Sequence, residues 1–405
     1  MNSSISQSNP MSSHSRQDVP SPPPHAASPD SVDRLDAALR AGHAAAQRAI
    51  KLEQTTKLSP KVDLVYLDWD DVFVEDMLGV GGFASVYLVT CPKLRRKHAR
   101  GAKTGHDCSS SIQSFDRSWA DLSEMSIDES EDISEAYALK CLSNRTISRP
   151  RQFITGACDM VGEAFLLGRL SHPNIIQLYG VTSGSMTQAY TKKGGYFLVL
   201  EALETTLNDK LQQWRKAPVT SIGDFMNRTQ NQSVPSVDRR LGIVEDIAKG
   251  MEYLHSQNVI FRDLKPENVG LDRNGLVKLF DFGLAREIHH DRLPGIAGSV
   301  LYLSPETILE NFNCKASDVY SFGILTWEVV SLARPYQEFC RPDELKNAVA
   351  NDRLRPDSGL INHPVKSLID SCWQRDYTTR PTFAEILRQL DGLRGNDKRR
   401  RIRVP

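Results

Sequence analysis

No run of about 18 consecutive apolar residues occurs anywhere in the chain, the least a membrane-crossing helix needs. The N-terminus also lacks the apolar core of a secretory signal. Charge of either sign is not in excess: Lys+Arg 50 balances Asp+Glu 50, so nothing global draws the protein to nucleic acid or to a membrane surface. Cysteine is sparse and unpatterned. The seven residues (Cys91, Cys108, Cys141, Cys158, Cys314, Cys340, Cys372) are odd in number and never closely paired, which excludes a disulfide framework and a zinc or redox motif. A reducing, intracellular compartment is expected, cytoplasmic in the plainest reading. One local absence matters later: Leu284 to Gly298 contains no Ser, Thr or Tyr.

What is present divides the chain into segments. Residues 1–30 are dominated by Ser, Pro and Asn and offer too little apolar area to offset chain entropy, so a disordered tail is expected. In 31–56, Leu35, Ala38, Leu39, Ala46 and Ile50 recur at helical spacing, predicting a helix capped at Ser31 that docks on the body, meets a partner or is simply solvated. Residues 92–135 pass from basic (Lys93, Arg95, Arg96, Lys97) to Ser-rich and acidic (Asp121, Glu124, Asp128, Glu129) and read as a surface insertion, a second place for partner contacts beside the solvated-loop reading. A polar stretch at 217–235 reads as another insertion, and 395–405 as a basic tail. Within that tail Lys398 to Arg403 leaves a nuclear address open, with a solvated tail as the simpler alternative.

The chemistry gathers in Val259 to Gly283. Val269 to Leu271 and Leu276 to Phe280 read as strands, and Asn274-Gly275 between them is a strong hairpin signal. A two-residue turn there would set Arg273 against Leu276 and Asn268 against Asp281, two oxygen-bearing side chains on one face for a hard cation. Asp263 and Lys265 lie just upstream. Near the other end, Leu78 to Val86 (Leu78, Gly79, Val80, Gly81, Gly82, Phe83, Ala84, Ser85, Val86) places glycines between apolar strands, where backbone can approach phosphate oxygens. The loop leads into a strand and not a helix, which argues against a dinucleotide-binding fold. Lys140 sits in the apolar strand Ala136 to Leu142. Glu163 lies on the inner face of a helix whose single buried stripe is Phe153, Ala157, Met160, Ala164 and Leu167, so the carboxylate needs a cation and Lys140 is the natural partner.

In this order the residues resemble the protein kinase superfamily over about 68–394. Leu78 to Val86 looks like the glycine-rich loop, with Ala84 at the usual third glycine. Lys140 and Glu163 resemble the phosphate-holding pair. Phe261-Arg262-Asp263 is similar to the catalytic-loop tripeptide, with Phe for His. Asn268 closes that loop, Asp281-Phe282-Gly283 looks like the metal-binding tripeptide, and Ser304-Pro305-Glu306 with Arg380 like the family's buried pair. The resemblance implies a two-lobed α+β fold, with a small β-rich lobe at about 68–200 and a mainly helical lobe at about 204–394. It implies ATP and Mg²⁺ as cofactors and a protein substrate. Asp263 would be the base, Lys265 its charge partner and Asn268 and Asp281 the metal ligands; the backbone of Glu201 and Leu203 would hold adenine. Asp-Leu-Lys-Pro-Glu-Asn resembles serine/threonine kinases, while Ser317 to Gly323 and Arg380 to Phe383 are closer in style to the tyrosine-kinase-like group.

The expected function is therefore serine/threonine phosphorylation of proteins in intracellular signalling, beside two alternatives: a catalytically dead scaffold, suggested by Phe261 and Ala84, and a dual-specificity enzyme. Arg262 grips an activation-loop phosphate in many relatives. With no hydroxyl in Leu284 to Gly298, Glu287 or Asp291 is expected to stand in for that phosphate, beside the reading that Arg262 only packs or meets a carboxylate without regulatory meaning, while Ser299 and Tyr302 should lie where substrate binds.

Overall fold

A computed structural model of the protein describes residues 29–59, 61, 63–94, 136–183, 195–216 and 234–401. The insertion expected at 92–135 lies outside the described residues beyond Leu94, that at 217–235 up to residue 233, and the expected tail up to residue 28.

The chain opens with helix α1 (Pro29–Thr55), which starts two residues before the expected cap Ser31. Strands β1 (Val65–Leu67), β2 (Phe73–Val80), β3 (Ala84–Thr90), β4 (Ala136–Leu142), β5 (Leu178–Thr182) and β6 (Phe197–Glu201) then form one six-stranded sheet in the order β1-β5-β6-β4-β3-β2. Between β4 and β5 run a short helix α2 (Asn144–Ile147) and the long helix α3 (Pro150–Leu167). Period-two alternation decides what each strand residue faces. On β4, Tyr137, Leu139 and Cys141 enter a cluster with Leu67, Val89, Phe197 and Val199, while Ala138 and Leu142 enter the main core. Lys140 shares the latter parity, and the sheet thereby aims it at α3. That helix is buried on more than its expected stripe: Val161, Gly162 and Leu166 are covered too, because α1 packs along it.

The large lobe begins with β7 (Thr205–Thr206) and helix α4 (Leu207–Lys216), followed by α5 (Val237–Ser256), β8 (Val259–Ile260), β9 (Val269–Leu271), β10 (Val277–Leu279), β11 (Arg286–Glu287) and β12 (Leu293–Pro294). Helix α6 (Pro305–Leu309), β13 (Phe312–Asn313), α7 (Lys315–Ser331), α8 (Pro342–Ala350), α9 (Lys366–Cys372) and α10 (Phe383–Arg401) complete it. Helix α7 is the centre, with Ser317 to Val330 all buried; a helix covered on every side must lie inside a lobe. Helix α10 continues to Arg401, so the start of the basic run expected to be tail has helical backbone.

The β9–β10 hairpin corrects the expected register. Leu271 pairs with Val277 and Val269 with Leu279, one residue out of step with the two-residue turn. Asp272 causes the shift: its Oδ1 accepts from the N–H groups of Asn274 at 2.8 Å and Leu276 at 2.9 Å, and Gly275 closes onto its carbonyl, making a longer loop. A one-residue slip reverses every face. Asn268 therefore bonds through its carbonyl to the Phe280 N–H, and Asp281 stands beyond the ladder instead of opposite Asn268.

Candidate active site

Three elements converge between the lobes: β4, α3 and the loops flanking the β9–β10 hairpin. Lys140 Nζ lies 2.7 Å from Glu163 Oε2 and 2.8 Å from Asp281 Oδ1. Burial alone would lower the Lys140 pKa, but Glu163 and Asp281 outweigh it and hold the ammonium well above its ordinary value. Lys140 in turn keeps the Asp281 carboxylate below its usual range, against the effect of burial, whereas burial raises the Glu163 carboxyl. Glu163 Oε1 also accepts from the Phe282 N–H at 3.3 Å. One carboxylate thus links the lysine of the small lobe to the tripeptide of the large one.

The second group centres on Asp263. Its Oδ2 accepts from Lys265 Nζ at 2.8 Å and from Asn268 Nδ2 at 3.0 Å, and Asn268 Nδ2 also donates to the Asp263 carbonyl at 2.8 Å. Its Oδ1 accepts from both the N–H and the hydroxyl of Ser299 at 2.8 Å, while Lys265 Nζ donates to Ser299 Oγ at 2.8 Å. An aliphatic hydroxyl is therefore held between the carboxylate and the ammonium. Tyr302 does not join it: it is buried, its hydroxyl donates to Glu328 Oε2 at 2.6 Å, and burial pushes its pKa well up.

Backbone strain marks the same loops. Arg262 and Asp281 take φ of +69° and +62°, left-handed values that non-glycine residues adopt at a cost of order 1–3 kcal/mol. Asp318 of α7 secures the first, its carboxylate accepting the N–H of Phe261 at 2.9 Å, the N–H of Arg262 at 2.8 Å and lying 2.9 Å from His255 Nε2. Phe261, the departure from the kinase pattern, is fully buried and meets Phe282 edge to face at 5.1 Å between ring centroids. An apolar ring suits that contact.

The glycine loop closes on itself through the Gly81 N–H and the Ala84 carbonyl at 2.7 Å, and the Phe83 carbonyl accepts from the Ser143 N–H at 2.9 Å. Val80, Leu78 and Phe83 are exposed. A Cβ at Gly79 or Gly82 would meet no protein atom within 4 Å, so no protein neighbour requires glycine there and the open space suits a ligand. Leu203 lies over Gly270, where any Cβ would collide with its Cδ1. Glu201 is engaged by its side chain with Lys278 at 2.9 Å and by its N–H with the Gln177 carbonyl at 2.9 Å. That second bond takes the Glu201 N–H, so of its backbone only the carbonyl remains for the adenine contact expected there.

Arg262 does not meet the expected carboxylates. Its Nε donates to the Leu284 carbonyl at 2.7 Å. Glu287 instead accepts from Thr56 Oγ1 and, at 2.9 Å, from the Lys57 N–H, both just after α1. Asp291 acts on Lys315. Sequence reasoning did not identify Arg48, Asp159 or Thr56 at this centre. The one available signal was that Arg48 prolongs the Ala37, Ala41, Ala45 stripe of α1. Elsewhere, Arg380 and Glu306 form a two-pronged pair at 2.8 Å with both side chains buried.

The paired lysine and carboxylates, the Asp263 cluster and the strained loops lie together between a β-rich and a helical lobe, the arrangement of a two-lobed kinase fold. The model of the family described as protein tyrosine and serine/threonine kinase matches residues 120–390. The probable serine/threonine-protein kinase SIS8 of Arabidopsis thaliana is 32% identical over 248 residues, 58% of this chain and 22% of that protein. Ephrin type-B receptor 1 of Gallus gallus is 32% identical over 243 residues, again 58% and 22%. Serine/threonine-protein kinase STY46 of Arabidopsis thaliana is 30% identical over 237 residues, 58% of this chain and 37% of its own length. The chain thus matches between about a fifth and about two fifths of the length of these relatives. It belongs to the protein tyrosine and serine/threonine kinase family, whose fold is the two-lobed α+β one described above.

Members of this family use ATP with Mg²⁺, and the residues present fit both. Asn268 Nδ2 is turned onto Asp263, which directs its amide oxygen away from that carboxylate, and the Asp281 side chain is 49% exposed. Two hard oxygen donors suit Mg²⁺, which takes one or two protein ligands and completes its shell from phosphates and water.

Proposed function

We propose that the protein transfers the γ-phosphoryl group of ATP to serine or threonine hydroxyls of protein substrates. The observation that carries this reading is the Ser299 hydroxyl, which lies 2.8 Å from both Asp263 Oδ1 and Lys265 Nζ. Asp263 and Lys265 thus already hold the alcohol of a short side chain between them. Asp263 orients the incoming hydroxyl and takes its proton as the oxygen attacks phosphorus, an effect on the order of 10² to 10⁴ in rate. Lys265 balances the charge that builds on the transferring group. Lys140, held by Glu163, fixes the nucleotide's phosphates, and Leu78 to Val86 covers them. Asn268 and Asp281 would hold Mg²⁺, which would supply positive charge to offset that of the phosphates. The backbone of Glu201 and Leu203 would hold the adenine edge.

The scaffold alternative is disfavoured because Lys140, Glu163, Asp263, Asn268 and Asp281 are all present and mutually bonded in two connected groups. A second reading, tyrosine or dual specificity, draws on the 32% identity to ephrin type-B receptor 1. Incubation of the full chain with γ-labelled ATP and a mixed peptide library, followed by phosphoamino acid analysis, separates the two. Phosphoserine and phosphothreonine that vanish in Asp263→Asn support the proposal; phosphotyrosine alone overturns it. An intracellular, reducing setting is part of the same reading, in keeping with six free cysteines among the described residues.

A further inference from the structure

Helix α1 lies against the kinase lobes along a stripe of small residues. Ala37, Ala38, Ala41 and Ala45 are buried, and their lack of bulk lets α1 run close along α3. Arg48 continues the stripe. Its Nη1 donates to Asp159 Oδ1 on α3 at 3.2 Å, and Arg286 Nη2 on β11 donates to the same oxygen at 3.2 Å. Asp159 precedes Glu163 by one helical turn, so the two carboxylates stand one above the other on α3. Glu163 engages Lys140 and the Phe282 N–H while Asp159 engages Arg48 and Arg286.

The chain after α1 adds three further attachments. Glu287 of β11 accepts from Thr56 Oγ1 and the Lys57 N–H. The Lys61 N–H reaches the Gly168 carbonyl at the end of α3 at 3.3 Å. Lys61 Nζ bonds Tyr253 Oη at 3.3 Å and Gln257 Oε1 at 3.2 Å, near the end of α5. The segment therefore touches the helix that bears Glu163, the strand that follows Asp281 and a helix of the large lobe.

We propose that residues 29–59 with Lys61 act as an intramolecular strap that positions α3, holding Glu163 on Lys140, with Arg48 and Glu287 as positioning residues. The proposal rests on the reading of Lys140 and Glu163 as the phosphate-holding pair. Arg48 and Arg286 share one carboxylate oxygen and repel each other, and both are partly exposed, so the ion pair alone holds little. The alanine contact is the seat of the strap, and Arg48 sets its register. With the strap released, α3 is free to carry Glu163 away, leaving Lys140 to Asp281 alone.

The test uses the full chain with Ala45→Glu, which wedges a charge into the seat, and Arg48→Glu, which reverses the register contact. Arg48→Lys is the conservative variant and Arg40→Glu, at an exposed position of α1, the control. Amide hydrogen exchange is followed over 29–55 and 150–167, together with kcat and KM for ATP and for a peptide substrate. The strap predicts that Ala45→Glu and Arg48→Glu speed exchange in both segments and lower kcat about 10-fold to 100-fold, as misplacement of a reacting group does, with the peptide KM unmoved. Arg48→Lys should recover much of the loss, and Arg40→Glu should match the unaltered chain. Faster exchange in 29–55 with 150–167 still protected and kcat unchanged overturns the proposal. Should Ala45→Glu not fold, Arg48→Glu carries the test. If the unaltered chain transfers no phosphate, the reading of the site fails, while exchange over 150–167 still decides whether the strap holds α3.

Discussion

The Glu306–Arg380 pair shows how much rests on single residues in the large lobe. Both side chains are buried, and Arg380 also donates to the Ala316 carbonyl at 2.8 Å and the Gln374 carbonyl at 2.8 Å. Removing one member leaves the other charge buried without its partner, which costs roughly 3–5 kcal/mol. Arg380→Ala should therefore lower the unfolding free energy measured by urea titration by that amount, and unchanged stability would refute the account. Burial works to raise the Glu306 carboxyl, but the hydrogen bonds and charge of Arg380 outweigh it and lower its pKa. The contribution of Glu306 to stability is thus complete above the ordinary glutamate value of about 4.3 and falls as pH drops through the lower folded value. Glu306→Gln should flatten the acid limb of the stability curve below about pH 4, which urea melts across that range would measure. Gly298 raises a different residue-level demand. Its φ is +114°, and a Cβ there would strike the Arg262 carbonyl. Gly298→Ala should pull the neighbouring Ser299 off Asp263 and cut phosphoryl transfer on the order of 10-fold or more through misplacement. The change should appear in kcat, together with a lower melting temperature from the strain at positive φ.

At the scale of elements, β1 depends on one small residue. Gly180 of β5 pairs with Val65, and a Cβ at Gly180 would stand 2.7 Å from Leu67 Cδ1 and 2.9 Å from the Val65 carbonyl. Backbone cannot yield as a side-chain tip can. Gly180→Ala should cost about 1–3 kcal/mol by overpacking and loosen β1, read as faster exchange over 65–67. The activation segment yields the other element-level expectation. Leu284 to Gly298 carries no hydroxyl side chain, and Arg262 is bonded to the Leu284 carbonyl. Phosphatase treatment of the purified protein should leave its activity intact; a loss traced to this segment would contradict that. The sequence held the right residues for such an arrangement but the wrong partner. Glu287 was legible as an acid near Arg262 in the chain, whereas its contact with Thr56 and Lys57 spans more than two hundred residues and leaves no local pattern. The hairpin register failed for a related reason. Asn274-Gly275 favours a two-residue turn, but the Asp272 carboxylate captured two backbone N–H groups and lengthened it.

Across the whole molecule, the parts most open to sequence reasoning were those whose chemistry is local. Lys140 lies in a strand of fixed parity, Glu163 on a helix face, and Asp263, Lys265 and Asn268 within six residues of one another. Each environment constrains its charged group so tightly that few arrangements satisfy it. The docking of α1 was not open in the same way, because Ala37, Ala41 and Ala45 suit a solvated helix as well as a packed one, and only the small second face of α3 decides between them. At the centre of the whole, the α7 carboxylate Asp318 holds the catalytic loop and one acidic side chain on that loop, Asp263, meets a hydroxyl. The most direct measurement is the phosphate released from labelled ATP onto a serine-containing or threonine-containing peptide by the full chain and by Asp263→Asn. The account predicts transfer by the former and a fall of at least about 10² in the latter, with both proteins melting alike. Equal transfer by the two proteins would contradict it.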